Sequence, residues 1–286
     1  MKKEQKCMIS DTHLHTRLSA DADQSDENNL ESFYAAAKAK KLRYFAVTEH
    51  CDILTGSEGY VNADLERYSE EASRLKGAIS SDGGSRTVFG YGIELAHAHR
   101  CPYEAKEILR EHEYDFVLGS AHILRDETDF WSMDYSKYTD SELFEMYSRY
   151  VDEIYEVSEA CDFDSLAHCT YPLRYYARNG RLPEVCKSPS VFFPKYENIL
   201  LNLISRKKAI EINTSDILSG GTFFPSEDII RLYAKLGGKL VTLGSDSHDF
   251  RKIGSGIEQA ETLLKRLGFD GVTVYFKRTA HILKWD

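Results

Sequence analysis

The chain has 286 residues, 42% of them hydrophobic, and 36 Lys and Arg against 46 Asp and Glu leave a formal charge of −10. That balance disfavours a nucleic-acid binder working through phosphate contacts. No run of about 18 apolar residues could span a bilayer, and the charged opening MKKEQKCMIS lacks the apolar stretch of a secretory signal.

Strand-prone and helix-prone runs alternate along the chain. Strands are predicted over residues 7–10, 44–48, 88–93, 116–119, 165–167, 209–212 and 240–244, and helices over 29–40, 65–79, 103–111, 140–159, 196–207 and 226–236. This alternation argues for parallel β-α units. Ser226-Glu227-Asp228 places acidic residues in a first helical turn, and Gly237-Gly238 stops that helix before the last strand of the series. Residues 80–85 read as a loop. Residues 171–194, rich in proline and aromatics, read as a long excursion, and 272–276 as a terminal strand outside the main series. Barrels of this class commonly run to about 200–250 residues as one unit, so a single domain over 1–286 in the cytoplasm is expected. The six cysteines (Cys7, Cys51, Cys101, Cys161, Cys169 and Cys186) form no C-x-x-C pair and read as reduced thiols. Cys169 follows His168 and should alternate away from it, into packing.

Seven β-prone runs end in a residue type that binds metals or substrate: His13 with His15, His50, Glu94, His122, His168, Asn213, and Asp246 with His248. That is the pattern of a barrel whose strands deliver side chains to one rim. His13 and His15 emerge on the same side of an extended backbone and can grip one ion, and Asp246 and His248 repeat the spacing. A lone H-x-H is often a pair of solvated loop histidines, but recurrence argues otherwise, since six of the ten histidines stand at such positions. A buried Glu94 or Asp246 without a partner is costly, and a cation at the rim answers that. Glu49, beside His50, should face the other way, as an outer hydrogen-bonding group or in a salt bridge. His97 and His99 read as polar loop residues with no ligand role. His112 and His281 are also set aside.

The ordered set D-x-H-x-H-T (11–16), T-E-H (48–50), G-x-E (92–94), S-A-H (120–122), A-H (167–168), E-I-N-T-S (211–215) and G-S-D-S-H (244–248) resembles the polymerase and histidinol phosphatase (PHP) family, nearest its histidinol-phosphate phosphatase branch. The resemblance implies an α/β fold, a distorted (β/α)7 TIM-like barrel, holding up to three divalent ions of zinc, iron or manganese. One ion would use His13, His15, Glu94 and Asp246; a second would share Glu94 and add His122 and His168. The third would take Asp21, His50 and His248, with Asp23 as the alternative to Asp21.

The implied activity is hydrolysis of L-histidinol phosphate through a hydroxide bridging two ions, without a covalent phosphoenzyme. A different small phosphomonoester or nucleotide, or a non-catalytic metal-binding module, are the alternatives. The expected partner is a small phosphomonoester, with no nucleic acid and no membrane. Asp246 or His248 would protonate the leaving oxygen. Arg174, six residues after His168, matches a phosphate-binding arginine of this branch, with Arg17 and Arg251 as alternatives. Asn213 is read as a substrate or outer hydrogen-bonding group. Tyr171, Tyr175, Tyr176, Phe192 and Phe193 could cover an imidazole or simply pack in a core or lid. One departure stands out: relatives continue E-I-N-T-S with Gly and a basic residue, whereas this chain has Asp216-Ile217-Leu218. Either another arginine substitutes or the substrate differs.

Overall fold

The computed structural model describes residues 8–53, 62–81, 86–126 and 128–285. Seven strands pair in parallel and in chain order: β1 (Ser10–Asp11), β2 (Tyr44–Asp52), β3 (Val88–Ala96), β4 (Phe116–Ser120), β5 (Ser165–Leu166), β6 (Ala209–Asn213) and β7 (Val241–Gly244). The two ends of this sheet meet. The Thr12 amide and hydroxyl donate to the Leu243 carbonyl at 2.7 and 3.0 Å, and the His15 amide donates to Ser247 at 3.0 Å. Ser245 donates through its amide and hydroxyl to the Asp11 carboxylate at 2.9 and 2.6 Å. The result is a nearly closed barrel of the predicted class. It is distorted because β1 and β5 contribute two residues each while β2 and β3 run for nine.

β2 and β3 continue past their predicted ends, into Asp52 and Ala96. Their register pairs His50 with Glu94, so the ladder carries on through residues whose polarity suggested a loop. Both faces of these strands are covered, which keeps the backbone paired out to the rim.

The helices are α1 (Leu30–Ala39), α2 (Leu65–Ser81), α3 (Pro102–Glu111), α4 (Asp140–Ala160), α5 (Tyr171–Arg178), α6 (Phe193–Ser205), α7 (Glu227–Lys235) and α8 (Ile257–Arg266). Local signals start several of them. The Asn29 side chain accepts from the Ser32 amide at 3.0 Å at the head of α1, and Thr139 with Glu142 forms a reciprocal capping box on α4. Two helices went unforeseen. α5 occupies the start of the expected excursion: Pro172 sits in its first turn, where a missing N–H does no harm. α8 buries Ile257, Ala260, Leu263 and Leu264 at helical spacing. Of the expected loop at 80–85, Ser80 and Ser81 complete α2 and the rest lies outside the described residues, as does Cys7.

The expected terminal strand exists as β8 (Gly271–Phe276), antiparallel to β9 (Thr279–Lys284) and separate from the main sheet. The hairpin lies across the N-terminal ends of the barrel strands. Val274 and Tyr275 join Tyr44, Ala46, Phe116 and Leu118 in a distinct apolar cluster. The Tyr44 hydroxyl donates to the Tyr275 carbonyl at 2.7 Å, the Tyr275 hydroxyl to the Asp164 carbonyl at 3.0 Å, and the Val241 amide to Thr273 Oγ1 at 3.0 Å. Tyr275 also stacks on Phe116 with centroids 5.2 Å apart. No helix among the described residues is long and apolar enough to cross a membrane.

Phe116 is fully buried at this junction. Its replacement by Ala is expected to destabilise the protein by about 3–5 kcal/mol, read as a lower urea midpoint with an unchanged slope.

Candidate metal centre

The barrel places its histidines by a common rule. His122, His168 and Asp246 each stand two residues beyond the end of a strand, His13 and His15 follow β1, and His50 and Glu94 are paired within β2 and β3. All of them reach the C-terminal rim. Glu94 is at the centre, with no exposed surface. Its Oε2 lies 2.9 Å from His50 Nδ1, 3.2 Å from His13 Nε2 and 3.7 Å from His15 Nε2. Its Oε1 lies 2.9 Å from His168 Nε2 and 3.0 Å from His122 Nε2.

Two further carboxylates complete the cluster. Asp246 Oδ1 is 3.6 Å from the Nε2 atoms of both His13 and His15, and 3.8 Å from His248 Nδ1. Asp21 Oδ2 is 3.0 Å from His248 Nε2 and 3.4 Å from His50 Nε2. Asp23 instead pairs with Arg251 at 2.7 Å, so of the two loop carboxylates Asp21 is the one that faces the histidines. The nine candidate ligands thus form one group.

An outer layer fixes their orientation. Glu211 Oε1 lies 2.7 Å from His13 Nδ1, and its Oε2 accepts the His168 amide at 2.8 Å. Asp52 Oδ2 lies 3.0 Å from His122 Nδ1. Glu49 accepts from Thr16 and from the Ser19 hydroxyl, which stands 3.4 Å from His15 Nδ1, so Glu49 works through hydroxyls and not through a salt bridge. Asn213 Nδ2 and Arg174 Nη2 both donate to Asp246 Oδ2, at 3.1 and 2.9 Å. Glu211 and Asp52 were not anticipated, though each stands two residues from a recognised position, Asn213 and His50, and so shares its side of the strand.

His97 comes close to Asp52 and His122, but its Nε2 accepts the His122 amide at 3.2 Å, and His99 Nε2 lies 3.2 Å from Glu153. Cys169 is buried in the core. Asp246 has φ 54°, a left-handed conformation uncommon outside glycine.

Without ions this cluster is electrostatically divided. Burial lowers the pKa of His13, but Glu211, Asp246 and Glu94 outweigh it and hold His13 well above the ordinary value. Burial likewise opposes protonation of His122, yet Asp52 and Glu94 raise it to about 10. His15 goes the other way, pushed well down by burial and by His50 and His248. Its ring stacks on each of theirs, with centroids 4.1 and 4.3 Å apart. His15 Nε2 is buried without a hydrogen-bond partner, and its 3.6 and 3.7 Å separations from Asp246 and Glu94 are too long for hydrogen bonds. They suit two ligands of one ion, since tetrahedral ligands each about 2.1 Å from zinc lie roughly 3.4 Å apart. The residues present therefore fit divalent metal ions.

A cavity of about 480 Å³ opens over the cluster, lined by His50, His122, His168, Asp246 and His248 and by Tyr171, Arg174, Tyr175 and Arg178. Arg17 and Arg251 do not line it. Arg17 pairs with Asp26 at 3.3 Å, and Arg251, 62% exposed, with Asp23 and Asp249. Of the candidate aromatics, Tyr171 and Tyr175 reach the cavity. Tyr176 is buried and donates to the Leu143 carbonyl, and Phe192 packs on Tyr147.

Gly244 lies where a Cβ would fall 2.2 Å from Glu211 Oε1 and 2.4 Å from His13 Cβ. Gly244→Ala is expected to push Glu211 off His13 and weaken metal binding about 10- to 100-fold, measured as metal content after dialysis against buffered zinc.

A family model described as PHP domain matches residues 11–215. A Clostridium acetobutylicum protein named "Probable histidinol-phosphatase" is 29% identical over 88% of this chain and 91% of its own length. The histidinol-phosphatase of Lactococcus lactis is 26% identical over 93% of each. The crystal structure of histidinol phosphate phosphatase from that organism, complexed with zinc, L-histidinol and phosphate, superposes with a TM-score of 0.76 at 24% identity, covering 96% of this chain and all of that one. The family model spans most of the barrel, and the chain belongs to the PHP domain family.

Proposed function

We propose that the protein is a metal-dependent phosphomonoesterase that hydrolyses L-histidinol phosphate to L-histidinol and phosphate. One observation carries the reading: imidazoles from five positions surround the buried Glu94, while Arg174 stands beside them on the wall of a substrate-sized cavity. The names of the relatives, and the ligands in the Lactococcus structure, support the choice of substrate. Residues 1–286 are taken as one catalytic domain. The five described cysteines are free and buried, which suits the reducing cytoplasm.

A phosphate monoester dianion repels nucleophiles, and its hydrolysis demands accelerations of up to about 10^21. Up to three ions of zinc, iron or manganese, held by His13, His15, Glu94 and Asp246, by Glu94, His122 and His168, and by Asp21, His50 and His248, supply charge neutralisation and acidified water.

The other tasks fall to the chain's own groups. Arg174 is held by Asp246 and Asn213, and its Nε has no hydrogen-bond partner, so its planar fork is oriented before a phosphoryl oxygen arrives. Burial raises the pKa of Asp246, but His13 and Arg174 outweigh it and keep the carboxylate ionised. Asp246 is therefore an acceptor and ligand, a poor proton donor. His248 has Nδ1 3.0 Å from the Asp246 carbonyl and Nε2 3.0 Å from Asp21, so as an ion ligand it has no proton to spare, and the leaving oxygen takes its proton from water in the cavity. Tyr171 and Tyr175 offer ring surface to the imidazole of the substrate.

Manganese- or zinc-loaded protein is expected to turn over L-histidinol phosphate with kcat/KM of at least about 10^4 M⁻¹s⁻¹ and to prefer it to sugar phosphates and nucleotides. Slow and even turnover of the panel would move the substrate to another small phosphomonoester. Ions bound without any turnover would make the protein a non-catalytic module. Arg174→Ala should lower kcat/KM about 100-fold, the scale of one charge-assisted donor, with metal content retained.

A further inference from the structure

Residues 171–178 read Tyr-Pro-Leu-Arg-Tyr-Tyr-Ala-Arg, so Tyr-x-x-Arg occurs twice in succession. On a helix that spacing of four puts both arginines on one face, a turn apart, and α5 is that helix. Both arginines and both tyrosines line the cavity. The arrangement repeats in space as well: the Arg174 guanidinium lies 5.5 Å from the Tyr171 ring centroid, and that of Arg178 lies 5.8 Å from Tyr175.

The two arginines differ in how they are held. Arg174 is buried and tied to Asp246 and Asn213, beside the metal ligands. Arg178 is 50% exposed and forks onto Asp216, with Nε 3.1 Å from Oδ2 and Nη2 bonded to Oδ1. Asp216 itself is buried in the loop after β6. The neighbouring Ser215 also lines the cavity, and its hydroxyl is buried without a hydrogen-bond partner.

We infer that Arg178 is a second substrate-holding arginine, which exchanges Asp216 for an oxygen of the substrate's phosphate group next to Arg174, with the Ser215 hydroxyl as a further donor. The inference rests on the phosphomonoesterase reading. Arg178 is half open to water and so within reach of an entering anion, and a phosphate dianion offers more charge than Asp216 and matches the same planar fork. Asp216 then acts as a competitor for Arg178, setting how tightly the anion is held. If the pair only pinned α5 to the loop, breaking it from either side would have the same effect.

The test uses opposite signs. Arg178→Ala is expected to raise KM for L-histidinol phosphate and the inhibition constant of inorganic phosphate together, about 10- to 100-fold, while kcat and metal content hold. Arg178→Lys should recover part of the loss. Asp216→Asn, which frees Arg178, should tighten inorganic phosphate. Equal weakening by Arg178→Ala and Asp216→Asn would overturn the inference, as would an Arg178→Ala enzyme with unchanged KM and inhibition constant. Calorimetric titration of the manganese-loaded proteins with inorganic phosphate needs no turnover. An inert wild type whose phosphate affinity still falls in Arg178→Ala sinks the reaction and keeps the anion site; an active enzyme indifferent to Arg178→Ala sinks the anion site alone.

Discussion

The structure turns on the burial of Glu94. A carboxylate with no exposed surface at the heart of a barrel is tolerated only with positive charge around it. Burial raises its pKa, but His122, His13 and His50 outweigh that and hold it well below the ordinary range. These three histidines come from different β-α units, so the charge balance of one side chain ties β1, β2, β3 and the segment after β4 into a common geometry. The β2–β3 register expresses the same constraint locally, since pairing His50 with Glu94 keeps both strands extended past the point where their polarity suggests a loop.

Around that centre the barrel spends unusual backbone. Gly244 is required because Glu211 and His13 pass where a Cβ would be, and two residues on Asp246 takes φ 54°. Closure of β7 against β1, through Ser245 and Asp11, is thus made in the same few residues that deliver Asp246 and His248. Strain at such a site is sustained by the structure around it, here the Arg174 and Asn213 donors on Asp246 Oδ2. A candidate ligand, an arginine and the barrel seam are consequently one mechanical unit.

Much of this was legible in the sequence. All seven strands could be placed from β-prone runs ending in ligand-type residues, and the nine candidate ligands come together as a group. What escaped detection has physical reasons. α5 was hidden by the prolines around it, because Pro172 reads as a breaker until it is seen in a first helical turn. β9 has a largely exposed face, so no alternation marks it. Glu211 and Asp52 carried a signal, the period of two on a strand, but their roles depend on which imidazole nitrogen faces inward, a property of packing. The choice between Asp21 and Asp23 likewise depended on Arg251, distant in sequence, claiming Asp23. Arg17 and Arg251 looked equivalent to Arg174 by proximity to a motif; only the fold separates a guanidinium on the cavity wall from two engaged elsewhere.

The cluster's protons and its metal ions answer the same need. In the metal-free protein His13, His50 and His122 are drawn toward the protonated form by the carboxylates that divalent ions would otherwise neutralise. Ligation requires neutral imidazole, so each of these histidines must give up its proton as an ion enters. Falling pH therefore works against metal uptake, with His122, raised to about 10, among the last to yield its proton as pH rises. His15 and His168 oppose this trend, because burial has already lowered their affinity for protons. Their ring nitrogens are accordingly free of added protons at neutral pH, so raised and lowered histidines stand side by side around one glutamate.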